Sequence, residues 1–311
     1  MPSVELAARR RGDSATADRR RSTMRSHQLT VEVAGPWSLE TGIAFWEGFA
    51  PARLAPRSGR DGVLRSTFLV EGDWQRAETE VVQQGTAARI LVRGDGDLDA
   101  AATQVCRFLS LDVDARGWPE VARRDPVIAE AQSQLPGLRP CGFHSPYEAA
   151  AWSVLSQRLR IAQADRLRND LIDRYGAEGA FPAPDVLRRI ELDLPGRKTE
   201  YLHAVAAAAL DGQLDAAALR SVEPARAMAT VREIKGLGPF AAELVVIRGA
   251  NAPDALARHE HRLEAEIAHR YGPDRTLDDI ADAWRPFRSW ASVYLRALRE
   301  ERTHEISGRP R

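Results

Sequence analysis

At 311 residues, with equal numbers of acidic and basic side chains, the chain has enough material for one large or two ordinary domains around a buried core. Its neutral total argues against a generic, salt-driven nucleic-acid coat protein but leaves room for a local positive groove. No apolar run approaches bilayer length and no signal-peptide core is visible, and two cysteines, Cys106 and Cys141, are too few for a disulfide framework or a four-cysteine zinc or iron–sulfur site.

The expectation is a cytoplasmic protein with both thiols reduced in the core. Residues 1–26 carry the clusters "ARRRG" and "DRRRSTMR" without apolar periodicity, which reads as a disordered tail or a weak phosphate-binding arm, with Met24 an alternative start. From 27 to 115 the pattern is α+β. "QLTVEVAG", "STFLVEG" and "ARILVRG" read as strands, while "SLETGIAFWEGFA" and "DLDAAATQVCRFLSL" have helical spacing, the second capped by Asp97 or Asp99.

Pro119 and Pro126 in "DARGWPEVARRDP" act as breakers, and residues 116–300 read as helical. Ser145 followed by Pro146 and Glu148 forms a capping-box pattern for a long helix. Further helices are predicted near 184–191, 198–210, 214–220, 224–234, 239–249, 258–270, 276–284 and 287–299, with a frayed tail over 301–311.

The string "VREIKGLGPFAAELVVIRG" ends one helix at Lys235, turns through Gly236-Leu237-Gly238, and starts another at Pro239. Alone this is a helix–turn–helix corner or a phosphate site at a helix start. In context it resembles the signature of the helix–hairpin–helix DNA glycosylase superfamily, and more narrowly the bacterial inducible 3-methyladenine DNA glycosylase branch. The resemblance runs from about residue 60 to 299: "PYEAAAWSVLSQRLRIAQADRLRNDLIDRYG", "FPAPDVLRRIELDLPGRKTEYLHAVAAAALDGQL" and "WRPFRSWASVYL" match family segments in order. It implies a TATA-binding-protein-like N-terminal layer on an all-helical glycosylase domain.

The resemblance also implies an activity: hydrolysis of the N-glycosidic bond of alkylated, 3-methyladenine-like purines in double-stranded damaged DNA, by a bacterial, nucleoid-associated monomer. Phe240 stands where lyase relatives carry a nucleophilic lysine, so a monofunctional enzyme is expected. In the family an aspartate downstream of the hairpin stabilises the sugar cation. Counting from Pro253-Asp254 places Glu260 on that position. Glutamate keeps the charge on a longer arm, and an error of about 1 Å costs on the order of 100-fold.

Phe240, Leu244, His261 and Trp284 match the family's base pocket, and Gln157 and Arg158 the turn that probes the base stack. The backbone of Gly236, Leu237, Gly238 and Pro239 would grip phosphate. Carbonyls of Arg232, Ile234 and Leu237 would hold a monovalent sodium or potassium ion; no cofactor is required and no iron–sulfur cluster is expected.

Other readings stay open at this level. Glu260 also fits a first-turn helix glutamate favoured by the dipole. His259, Glu260 and His261 make a poor metal set, because neighbours one and two apart do not share a helix face. Trp284 and Trp290 also fit plain core packing. The alternative function is a damaged-DNA binding protein of the same fold with weakened catalysis.

Overall fold

Alternating side chains build the first layer. The computed structural model describes residues 24–48 and 60–305, so the arginine clusters before residue 24 and the last six residues lie outside the described residues. Strands β1 (Ser26–Glu32), β2 (Val63–Leu69), β3 (Arg76–Gln84) and β4 (Ala87–Gly94) form one antiparallel sheet in the order β1-β4-β3-β2.

Successive strand residues face opposite sides. Ala77, Thr79 and Val81 of β3, with Ala88, Ile90 and Val92 of β4, are buried, while Glu78 and Glu80 pair with Arg76 and Arg93 on the other face. Helices α1 (Leu39–Gly48) and α2 (Leu98–Phe108) add Trp46, Val105 and Phe108 to the same core. Asp97 is the cap of α2, its carboxylate accepting the N–H groups of Asp99 and Ala100 at 3.0 Å. The residue pattern predicts three strands, and β3 is the fourth. Its glutamates disguise an inward row of small and β-branched residues.

The two prolines expected to interrupt the chain instead open helices. Pro119 is the second residue of α3 (Trp118–Arg124) and Pro126 the first of α4 (Pro126–Gln134), positions where a missing N–H costs nothing. Asp125 ends α3 and caps α4, accepting from Val127 and Ile128 N–H at 2.9 and 3.2 Å.

Next come α5 (Pro146–Leu155), α6 (Ile161–Tyr175), α7 (Pro184–Leu187), α8 (Lys198–Leu210), α9 (Ala216–Ser221) and α10 (Pro224–Arg232). Helix α11 (Pro239–Leu244) runs into a π turn (Val245–Gly249), followed by α12 (His261–Tyr271), α13 (Leu277–Ile280) with a 3₁₀ turn, and α14 (Arg288–Thr303). The far end is not frayed over its first residues: α14 continues to Thr303, and Glu305 pairs with Arg262, Arg296 and Arg299. At the other end, Arg25, within the stretch expected to be a tail, donates to Gly96 O at 2.8 Å. No helix among the described residues is long and apolar enough to cross a membrane.

All ten residues of α5 are buried, and α6, α8, α11 and the π turn pack around it. A Cβ on Gly249 would come within 2.7 Å of Pro146 Cα, so the π turn and the start of α5 touch backbone to backbone. A further core gathers Trp118, Trp284, Trp290 and Tyr294 from α3, α14 and the 3₁₀ turn after α13. The sheet joins the helices through His144, stacked on Phe68 and Phe108 at centroid distances of 4.8 and 4.4 Å. Burial, reinforced by Arg168 and Arg107, pushes its pKa down to about 3, so this ring stays neutral. Both cysteines are free; Cys141 is buried and Cys106 half-buried.

Ser145 caps α5 as its pattern predicts, Oγ accepting Glu148 N–H at 3.2 Å. Glu148 does not complete the box. Its buried carboxylate faces Arg168 of α6 at 4.0 Å, and burial, opposed by Arg168 and aided by Glu71, raises its pKa to about 7. A carboxyl whose folded pKa exceeds its ordinary 4.5 adds stability that is complete below pH 4.5 and lost as pH rises through about 7. The shift corresponds to about 3 kcal/mol. Urea titrations from pH 4.5 to 8 should show this decline in the wild type and a flatter profile in Glu148→Gln.

Candidate active site and nucleic-acid interface

The turn between α10 and α11 is tightly specified. Ile234 N–H bonds Val231 O and Leu237 N–H bonds Ile234 O, both at 3.1 Å, while the Leu237 side chain is buried. Gly236 has φ +94°, and a Cβ there would lie 2.3 Å from Tyr201 Cγ. Gly238 has φ −91° and open space around its missing Cβ, and Gly238, Pro239 and Phe240 are exposed. No side chain caps α11, so the N–H groups of its first turn keep their capacity to bind an anion. Just after α10, Ile234 O accepts the N–H of Leu237 that closes the turn.

A second turn is tied to the hairpin. Gln157 Nε2 donates to Gly236 O at 2.9 Å. The next residue, Arg158, is exposed and holds φ +56°, a left-handed conformation uncommon outside glycine. Arg158, Arg160 and Arg232 give the linked turns an exposed basic surface. Beside them Glu200 binds Arg197 at 2.6 and 2.9 Å and also Lys235, and the two cations, Arg197 foremost, hold its carboxyl down to about 2.

Glu260 is the N-cap residue of α12, which starts at His261 and not at 258 as the spacing predicts. Its Oε1 accepts Arg262 N–H at 3.1 Å, and its Oε2 lies 3.8 Å from Arg296 Nε. The later start has a cause outside the local sequence. Glu243, buried in α11, takes Arg258 N–H on Oε1 at 3.0 Å and His259 N–H on Oε2 at 2.9 Å. Its Oε1 is also 2.6 Å from His259 Nδ1. The helix that follows the hairpin therefore holds the two residues preceding Glu260. His259 and His261 have separate partners, His261 facing Glu264 at 3.2 Å with its side chain 91% exposed.

The four residues matched to a base pocket do not come together equally. Phe240 is 44% exposed on the first turn of α11, and Leu244 lies half-buried at the edge of the α5 core. Trp284 is a correction: it is fully buried, and its Nε1 donates to Asp125 Oδ2 at 2.7 Å. Asp125 thus draws the indole into the core beneath α4, where it presents no face to a ligand. Trp290 is core as well.

Two buried charges, Glu243 and Lys198, escape residue-pattern reasoning. Only their distant partners reveal what they hold. Lys198 Nζ donates to the carbonyls of Val154, Leu155 and Gln157 at 2.7, 2.9 and 2.8 Å.

No protein-family model matches the chain. A DNA-3-methyladenine glycosylase of Bacillus subtilis is 25% identical over 207 residues, covering 60% of this chain and 68% of the relative. A probable bifunctional transcriptional activator/DNA repair enzyme AlkA of Mycobacterium tuberculosis is 27% identical over 283 residues; the match covers 86% of this chain but only 56% of that relative. Among solved structures, a 3-methyladenine DNA glycosylase from Archaeoglobus fulgidus superposes with a TM-score of 0.69 at 15% identity, covering 88% of this chain and 99% of that one. That likeness establishes a shared fold.

Gly236→Ala should cost roughly 2–4 kcal/mol in denaturant melts, from left-handed strain and the Tyr201 overlap, whereas Gly238→Ala should leave stability within about 1 kcal/mol. Glu243→Ala should lose roughly 2–3 kcal/mol and speed amide exchange at Arg258 and His259, since their N–H groups lose their carboxylate acceptor.

Proposed function

We propose that this chain, which belongs to the helix–hairpin–helix DNA glycosylase superfamily on its bacterial 3-methyladenine branch, is a monofunctional glycosylase releasing alkylated purines from duplex DNA. The observation that carries the reading is the tether between hairpin and carboxylate. Glu243 lies in the helix that begins at the hairpin glycines and binds the backbone just before Glu260. A phosphate held at Gly236–Pro239 and a sugar facing Glu260 would then be positioned by one rigid unit.

The chemistry follows from charge. A duplex base must leave the stack, at a cost of a few kcal/mol, before its glycosidic bond is accessible. An alkylated purine is already cationic and departs readily, so the enzyme's main task is to stabilise positive charge growing on the sugar. A carboxylate at roughly 4 Å in an effective dielectric near 20 supplies about 4 kcal/mol, or about three powers of ten in rate. Glu260 fills that role, and water then attacks the sugar. Phe240 offers a ring face to the cationic base beside Leu244. It brings no amine to the position where lyase relatives carry lysine, which supports hydrolysis without strand cleavage. We read the N-terminal sheet as the family's TATA-binding-protein-like layer and the working unit as a monomer needing no cofactor.

The experiment is release of free 3-methyladenine from alkylated duplex DNA under single-turnover conditions. Wild type should release base, and Glu260→Gln should lose on the order of 1000-fold while still binding an abasic-site analogue. Equal release by the two proteins refutes the catalytic assignment. Tight abasic-site binding without release by wild type identifies a damage-binding protein instead.

A further inference from the structure

Lysine occurs only at positions 198 and 235, although the chain has 44 basic residues. Lys198 opens α8, where a cation opposes the helix dipole, and it is 6% exposed. Burial at an unfavourable helix end requires compensation, and three carbonyls provide it. Val154 O, Leu155 O and Gln157 O converge on Nζ at 2.7, 2.9 and 2.8 Å, using all three N–H groups of the ammonium. A planar guanidinium does not present three donors to one tetrahedral set of acceptors.

The third carbonyl matters most. Gln157 O belongs to the peptide linking Gln157 to Arg158, so the ammonium fixes the plane from which Arg158 departs. Arg158 holds its left-handed φ of +56° immediately afterwards. Leu159 N–H closes the turn on Ser156 O at 3.1 Å, and the Gln157 amide reaches Gly236 O of the hairpin at 2.9 Å. One buried charge therefore joins the end of α5, the Gln157–Arg158 turn and, through Gln157, the hairpin.

Resting on the glycosylase reading, we infer that Lys198 is a positioning residue for strand opening: it holds the Gln157–Arg158 turn in the shape that enters the base stack when a nucleotide is extruded. It touches neither the sugar nor the base, and its contribution is confined to duplex substrates.

The test separates opening from chemistry. A 2-aminopurine beside an abasic-site analogue in duplex DNA brightens when the stack opens. Wild type should give this rise at saturating protein, and Lys198→Met should lose most of it. Release of 3-methyladenine should fall on the order of 100-fold in duplex DNA but stay within about two-fold on a single strand, which has no paired stack to open.

An equal fluorescence rise in both proteins overturns the inference, as does its absence in wild type or a parallel loss of release on both substrates. A rise lost in Lys198→Met while wild type releases no base would sustain it and refute the glycosylase reading. If Lys198→Met does not fold, Lys198→Gln, which keeps two donors, should give an intermediate rise; a full rise there would also overturn the inference.

Discussion

A helix with no face toward water must satisfy both ends from within the protein, and α5 is such a helix. The Ser145 hydroxyl serves its first turn and the Lys198 ammonium its last carbonyls. A buried polar group left unpaired costs about 1–3 kcal/mol, so neither partner is dispensable. The consequence reaches the surface, because the ammonium that closes α5 also holds Gln157 O outside it. A turn that would otherwise move with solvent becomes an extension of the core. Gln157 passes that order to Gly236, where Tyr201 already blocks any side chain.

Glu260 is held by comparable means. The loop leading to it leaves the π turn and is pinned three times. Asn251 donates to Arg107 O and Ser110 Oγ at 2.5 and 2.8 Å. Arg288 grips both Asp254 oxygens at 2.9 Å, and Glu243 takes the N–H groups of Arg258 and His259. These anchors lie on α14, on α11 and beside α2, so a loop residue inherits the precision of three packed elements. The same reasoning explains why charges this deep are tolerated: each satisfies backbone groups that would otherwise be buried without partners.

Local signals in the sequence were sufficient wherever the cause was local. The Ser145-Pro146 helix start, the Gly236 turn and the helix order after residue 180 follow from caps, breakers and spacing. Position-by-position similarity pointed to Glu260, yet its place as a cap rather than a first-turn residue depended on Glu243, whose partners are 15 and 16 positions away. Lys198 was invisible for the same reason, with acceptors 41 to 44 positions back. Strand β3 hid behind outward glutamates, and α3 and α4 behind prolines that were starts rather than stops. Helical spacing marks Trp284 as inward-facing, but only Asp125 decides which interior receives it.

The length of the Glu260 side chain has a physical consequence. One oxygen of Glu260 bends back to Arg262 N–H, so part of its added reach is spent on capping its own helix. The charge is then set by what surrounds the other oxygen. Arg296 approaches it only to 3.8 Å, while the same guanidinium meets Glu305 at 3.2 Å. Glu305 also engages Arg299, which borders the fully buried Glu266. Arg296, Arg299 and Arg302 of α14 face carboxylates of α12 and Glu305, and among the described residues the arginine that faces Glu260 is shared. A tight private ion pair would cancel the field that a sugar cation needs. A shared and more distant arginine restrains the carboxylate while leaving much of its negative charge to act, which is the electrostatic condition that the proposed chemistry requires.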